Sequence, residues 1–155
     1  MGNVAEVDLS RSEVSFRPLT EEERDEFIGG RGLGAKIVYD DVGPGIDALS
    51  NENVLVFSVG PLTGTPAPTS GRYVVSTKSP LTGTIFDANS GGFFAPKFKA
   101  CGIDALVIRG GAKSPVILNM LDKRIEILEG EDCWGKGVFE TTKLLNEKFG
   151  KDSRV

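Results

Sequence analysis

Residues 4 to 17, VAEVDLSRSEVSFR, alternate apolar and polar side chains around a Ser-Arg-Ser turn, which predicts a half-buried β-hairpin. Thr20 and Glu23 have the spacing of a capping box, and Glu21 to Glu23 suit the positive end of the short helix that follows. That helix is expected to stop at Gly29-Gly30, before a second from about Arg31 to Asp40 with Leu33, Ile37 and Val38 on its inner face. A polar loop, Asp41 to Asn53, leads into the apolar run Val54 to Val59, which reads as a buried strand. Arg72 to Thr77 and Thr84 to Phe86 follow as the strands of a hairpin, with Arg72 at the start of one and Asn89 just past the end of the other. Antiparallel pairing brings such ends to one edge of a sheet, so Arg72 and Asn89 are expected to be neighbours.

Phe93, Phe94, Phe98 and Ala100 have the spacing of a short helix packed on the sheet. Pro96 belongs in its first turn, so the helix starts near Phe94 and Ser90 to Gly92 form a free loop. A buried strand, Asp104 to Arg109, precedes a second hairpin, Pro115 to Met120 and Arg124 to Leu128, around Leu121-Asp122-Lys123. A closing helix sets Trp134, Val138, Thr141, Leu145 and Phe149 on one stripe, with Gly150 as its C-cap. Both ends of the chain therefore run hairpin, acidic link, Gly-basic-Gly (Gly30-Arg31-Gly32 and Gly135-Lys136-Gly137) and amphipathic helix. The expected fold class is α+β, with mostly antiparallel sheets, a few helices and an internal duplication of two β-rich halves. The duplication rests on element types alone, because the hairpin-to-triplet distance differs between the halves.

Composition narrows this picture modestly. At 155 residues the chain suits one domain, and 39% hydrophobic with 26% charged residues describes an ordinary globular protein. No apolar run approaches the roughly 18 residues of a membrane span, and the N-terminus lacks the pattern of a signal peptide, so the expected compartment is the cytoplasm. Gly2 is not followed by the hydroxyl residue that myristoylation requires. Two cysteines, Cys101 and Cys133, and no histidine exclude the usual zinc patterns and histidine-based catalysis in this segment. A disulfide between them is disfavoured in the cytoplasm, and an acidic balance argues against nucleic acid as a partner.

One stretch departs from that balance. Gly60 to Gly92 holds two copies of Pro-Leu-Thr-Gly-Thr and ends in Asn-Ser-Gly-Gly. From Gly60 to Ile103 there are four basic residues (Arg72, Lys78, Lys97, Lys99) and one acid (Asp87), in a chain of net charge −4. Arg72, Lys78, Asn89, Ser90, Gly91 and Gly92 form the grouping with a chemical logic: arginine grips phosphate in a fork, and glycine N–H groups approach its oxygens without obstruction. An Asn89 side chain or backbone carbonyl would suit the magnesium that accompanies phosphates. The plainer reading is a tight turn beside a surface arginine. Gly30-Arg31-Gly32-Leu33-Gly34-Ala35 imitates a dinucleotide fingerprint, but a helix rather than a strand precedes it. Its other readings are a turn that lets the helix pack closely and a second backbone contact to the ligand of the glycine-rich stretch.

Gly-Arg-Tyr at 71–73, Thr-Lys-Ser-Pro-Leu-Thr-Gly at 77–83, Ala-Asn-Ser-Gly-Gly at 88–92, GGRGLGAK and GPLTGT together resemble the N-terminal domain of the tungsten-containing aldehyde:ferredoxin oxidoreductases. The resemblance extends over nearly the whole chain, to Trp134-Gly135-Lys136, and includes the 17-residue step from Arg72 to Asn89. It implies an α+β base of two similar halves that supports a bis-pterin cofactor holding tungsten or molybdenum. Arg72, Asn89 and Gly91 match family positions that contact the pterin, and the Asn89 position contributes to a magnesium site linking the pterin phosphates. The implied reaction converts an aldehyde and water to a carboxylic acid, with two electrons passing through a [4Fe-4S] cluster to ferredoxin. The cluster and the catalytic acid/base residues belong to later domains of an enzyme about four times this length. The chain is thus expected to be a fragment cut near the end of a base domain, inactive alone, with a homodimer allowed. Cys101 and Cys133 match no cluster position, and Pro96 is a local departure from the family pattern. The competing expectation is a stand-alone anionic-ligand-binding or assembly module without redox activity.

Overall fold

In the computed structural model, which describes residues 2–155, the first alternating segment forms hairpin β1 (Asn3–Asp8) and β2 (Glu13–Pro18). Four further strands, β3 (Val54–Val59), β4 (Tyr73–Lys78), β5 (Ile85–Ser90) and β6 (Ala105–Arg109), extend it into a six-stranded sheet of order β2-β1-β6-β3-β4-β5. β1 and β6 run parallel, and the other neighbouring strands run antiparallel. A separate hairpin, β7 (Val116–Leu121) and β8 (Arg124–Glu129), turns through Asp122 and Lys123, both at positive φ as a two-residue type I′ turn requires.

The helices are α1 (Glu21–Asp25), α2 (Gly30–Asp41), α3 (Phe94–Ala100) and α4 (Val138–Phe149). The capping box forms as expected: Thr20 Oγ1 accepts from Glu23 N–H, and the Glu23 carboxylate accepts from Thr20 N–H. α1 stops at Asp25, several residues before the glycines, and Ile28 at φ 62° turns the chain toward Gly29. Glu23 also takes two bonds of 2.8 Å from Arg17 on β2, which fixes α1 against the sheet. The Arg17 guanidinium holds the Glu23 carboxyl below its ordinary range.

Strand alternation divides the core between the two faces of the sheet. On one face Val4, Val54, Val56, Ala105 and Val107 meet Leu33, Ile37 and Val38 of α2, the inner face expected for that helix. On the other, Ala5, Val7, Val59 and Leu106 meet Ala95 and Phe98 of α3, with Leu118, Met120, Ile125 and Ile127 of the second hairpin packed around them. Pro96 lies in the first turn of α3, as its missing N–H demands. The hairpin-then-helix order recurs at both ends, but the first hairpin is built into the large sheet and the second forms a sheet of its own.

Two further boundaries differ from expectation. β5 continues to Ser90, so Asn89 lies within the strand, opposite Val74. The ladder with β4 overrides the low strand propensity of Asp87, Asn89 and Ser90. Trp134 lies outside α4, beyond the turn Glu131–Cys133, and both Trp134 and Val138 are exposed. The inward stripe of α4 is shorter, with Leu145 buried between half-buried Thr141 and Phe149.

The tightest packing lies where α2 crosses β3 and β4. A Cβ on Gly34 would collide with Ser76 Oγ and stand 3.0 Å from Ser76 Cβ and 3.2 Å from Ser58 Oγ. Ser58 Oγ donates to Gly30 O at 2.9 Å, while Ser76 Oγ is buried without a partner among the described residues. Glycine in mid-helix costs roughly 1 kcal/mol relative to alanine, so its use here is set by the close approach. Gly34→Ala is expected to lower stability by about 1–3 kcal/mol in urea unfolding despite the better helix propensity. Ser76→Ala, which removes the nearest obstructing atom, should restore part of that loss in the double variant. Glu23 gives a separate pH signature. Its depressed value stabilises the fold at neutral pH, and this contribution should be lost as pH falls below the ordinary carboxyl range and through the depressed value. Acid unfolding of Glu23→Gln should lack this component.

Candidate anion-binding edge

The ends of β4 and β5 and the start of α2 meet at one edge of the sheet. Val74 faces α2, since a Cβ on Gly30 would lie 3.9 Å from Val74 Cγ2. Arg72 and Asn89 share that face by alternation and register, Arg72 lying two residues before Val74 and Asn89 opposite it. They do meet: Arg72 Nε donates to Asn89 Oδ1 at 2.8 Å, and Nη2 donates to the same oxygen. This consumes the acceptor of Asn89 and leaves its amide N–H groups and Arg72 Nη1 with no protein acceptor among the described residues. The free side-chain polar groups of this pair are therefore all donors.

The glycines supply the rest of the surface. Ser90 closes the β4–β5 ladder opposite Tyr73, and Gly91 follows beside Arg72, where an added Cβ would lie 3.9 Å from Nη1. Gly92 has φ 98° with open space around its Cβ direction, and its carbonyl backs onto Gly71. On the other side Gly29 approaches the end of β3 so closely that a Cβ would stand 2.8 Å from Val59 O. The first glycine-rich segment is thereby brought to the same edge as the second. α2 starts there with no side-chain cap and no acidic residue in its first turn, so its partial positive charge is uncompensated. Below the edge, Tyr73 turns to the opposite face and packs on Phe57 and Phe94, with ring centroids 6.2 and 4.9 Å away.

Arg72, Asn89, Gly91 and Gly92 are thus brought together; Ser90, opposite Tyr73, has its side chain on the other face of the sheet, and Lys78 lies elsewhere. Lys78 pairs with Ile85 at the far end of the hairpin, about 17 Å from the Tyr73–Ser90 end. Its buried ammonium donates to the carbonyls of Gly43, Pro44 and Ile46 at 3.3, 2.7 and 2.7 Å. The charge expected to face a ligand instead organises the Gly-Pro-Gly loop. The signal lay in that loop, whose turned carbonyls need a donor, and in the period-two placement of Lys78 on the face covered by α2. Sequence reasoning missed Arg31 as a neighbour of the edge: its Nε is 3.0 Å from Asp87 Oδ2, across 56 residues. Cys101 and Cys133 are free thiols, and burial pushes the Cys101 thiol up, away from reactivity. No cluster of three or more metal-ligating side chains occurs among the described residues.

Donors without acceptors, carried on glycine-rich turns of a mainly antiparallel α+β scaffold, mark this edge as a candidate anion site. Residues 4–155 match the family model of the aldehyde ferredoxin oxidoreductase N-terminal domain, and the chain belongs to that family. It is 44% identical over 149 residues to a tungsten-containing aldehyde ferredoxin oxidoreductase of Pyrococcus horikoshii, a match covering 96% of this chain and 24% of the relative. It is 35% identical to the WOR-like subunit of an aliphatic sulfonate oxidoreductase of Pyrococcus furiosus, over 99% of this chain and 25% of that subunit. Among solved structures it is similar to the active site complex BamBC of benzoyl coenzyme A reductase in complex with 1,5 dienoyl-CoA. The TM-score is 0.92 at 35% identity, covering 95% of this chain and 22% of that one. The chain thus spans about a quarter of the length of the curated relatives it matches.

The separation of Lys78 from the edge has a measurable consequence. Lys78→Met should cost about 2–3 kcal/mol in chemical denaturation, because it leaves three carbonyls without their donor. The same variant should bind inorganic pyrophosphate with unchanged affinity in isothermal titration.

Proposed function

We propose that this chain is the cofactor base of a tungsten- or molybdenum-dependent oxidoreductase, and that its glycine-rich edge holds the phosphate and pterin portion of a bis-pterin cofactor. The carrying observation is the donor set: Arg72 fixed by Asn89, with free guanidinium and amide edges beside Gly91 and Gly92. These residues fit the group. A pterin phosphate brings acceptor oxygens and negative charge, and the edge offers N–H donors with an arginine preset in orientation. Asn89 orients Arg72, and the unbranched glycine backbone permits close approach. A magnesium ion here would take the main-chain carbonyl of Asn89, since Oδ1 is already occupied by Arg72.

When bound, the metal–pterin group supplies the two-electron redox chemistry that no side chain here provides. This chain contributes orientation and charge compensation. In the full enzyme we assign the reaction as oxidation of an aldehyde with water to a carboxylic acid in the cytoplasm. Electrons would leave through a [4Fe-4S] cluster to ferredoxin, with cluster ligands and acid/base groups supplied outside these 155 residues. The preference for aldehyde rests on the 44% identity to an aldehyde oxidoreductase against 35% for the sulfonate enzyme and the benzoyl coenzyme A reductase.

Arg72→Ala in the full-length enzyme should reduce tungsten or molybdenum per polypeptide by about 10-fold or more under limiting cofactor, as expected from losing a charged phosphate contact. Metal analysis by mass spectrometry reads this without requiring turnover. Retention of the full metal complement by Arg72→Ala and by Asn89→Ala would defeat the assignment.

A further inference from the structure

Arg31 is the first side chain of α2 able to reach the edge. The preceding Gly30 stands over Val74, the register partner of Asn89. Arg31 Nε is bound to Asp87 Oδ2 at 3.0 Å, and Asp87 lies two residues before Asn89 on the same face of β5. Asp87 and Asn89 are therefore about 7 Å apart along the strand, within the reach of an arginine side chain that pivots from one to the other. Arg31 uses one nitrogen for this bond, and its two terminal nitrogens have no acceptor among the described residues.

The charges around the pair explain why the bond is a weak tether. Arg31 is 70% exposed, whereas Asp87 is 23% exposed. Solvent screens such a pair and leaves it little net stabilisation. Asp87 is also the single acid between Gly60 and Ile103, and it is occupied by the arginine nearest the uncapped start of α2. A phosphate at the Arg72–Asn89 edge competes for Arg31 with more oxygen acceptors and more negative charge than one carboxylate offers.

We propose that Arg31 is a second anion-binding arginine of this site, held beside it by Asp87 and transferred to a phosphate ligand on binding. This rests on the reading of the Arg72–Asn89 edge as a phosphate site. Asp87 is then a positioning residue. It keeps a flexible side chain close to the edge and lowers the affinity for weak anions, because a ligand must displace it to recruit Arg31.

The test is titration of inorganic pyrophosphate into the 155-residue chain at low ionic strength, with Arg72→Ala, Arg31→Ala, Asp87→Asn and the Arg31→Ala/Asp87→Asn pair. Arg31→Ala is expected to weaken binding about 3- to 10-fold, and Asp87→Asn to strengthen it about 2- to 3-fold. In the double variant the gain from Asp87→Asn should vanish, since Asp87 acts through Arg31. A gain of equal size when Asp87→Asn is added to Arg31→Ala would show that Asp87 acts by its field alone and overturn the transfer. Unchanged binding by Arg31→Ala beside a large loss in Arg72→Ala would overturn the role of Arg31 and leave the phosphate edge standing. Absence of pyrophosphate binding by the unaltered chain would overturn both. Circular dichroism of each variant separates these outcomes from unfolding, and Arg31→Lys, which keeps charge but not the planar fork, should recover part of the affinity.

Discussion

The contact between Gly34 and the two serines beneath it governs where the site can be. A helix normally rests on a sheet at a distance set by its side chains, but α2 comes down until its backbone lies against Ser58 and Ser76. That descent is anchored by the Ser58 bond to Gly30 O and carries the uncapped end of the helix to the level of Val74. A raised helix would place Gly29 and Arg31 above the Arg72–Asn89 pair instead of beside it. The buried hydroxyl of Ser76, without a partner among the described residues, is the energetic penalty of this geometry.

Much of the edge is legible in the sequence, because it depends on local rules. A hairpin with strand residues on either side of Pro-Leu-Thr-Gly-Thr fixes which ends coincide, and so places Arg72 against Asn89. The capping box and the α2 face are similarly local, each needing a few residues of context. What escapes is set by tertiary pairing. Asp87 to Ser90 reads as the beginning of a loop, and becomes strand because β4 offers a ladder. The stripe expected of α4 runs through Gly135-Lys136-Gly137, where the helix has not yet begun, so Trp134 falls outside it. Arg31 and Asp87 are too distant in sequence for any local signal to join them.

Lys78 departs from its sequence reading for another physical reason. A lysine in a basic, glycine-rich segment invites the assumption that its charge is hydrated and available. Counting positive charges along the chain therefore overestimates what a ligand meets, since one of the four basic residues is turned inward and Lys99 is paired with Asp104. What stands at the edge itself is Arg72 and the start of α2, with Arg31 paired to Asp87 beside them. This smaller set has sharper geometry, and geometry is what distinguishes a phosphate site from a generally basic surface.

The ammonium of Lys78 occupies, for the loop at residues 43–46, the place that a coordinated monovalent cation takes in other turned loops. Three carbonyl oxygens converge on it, as they would on a bound ion. Because this cation is covalently attached, it is always present at high effective concentration, and the loop does not exchange it with the surrounding salt. The loop therefore needs no cation drawn from the surrounding solution to satisfy these three carbonyls.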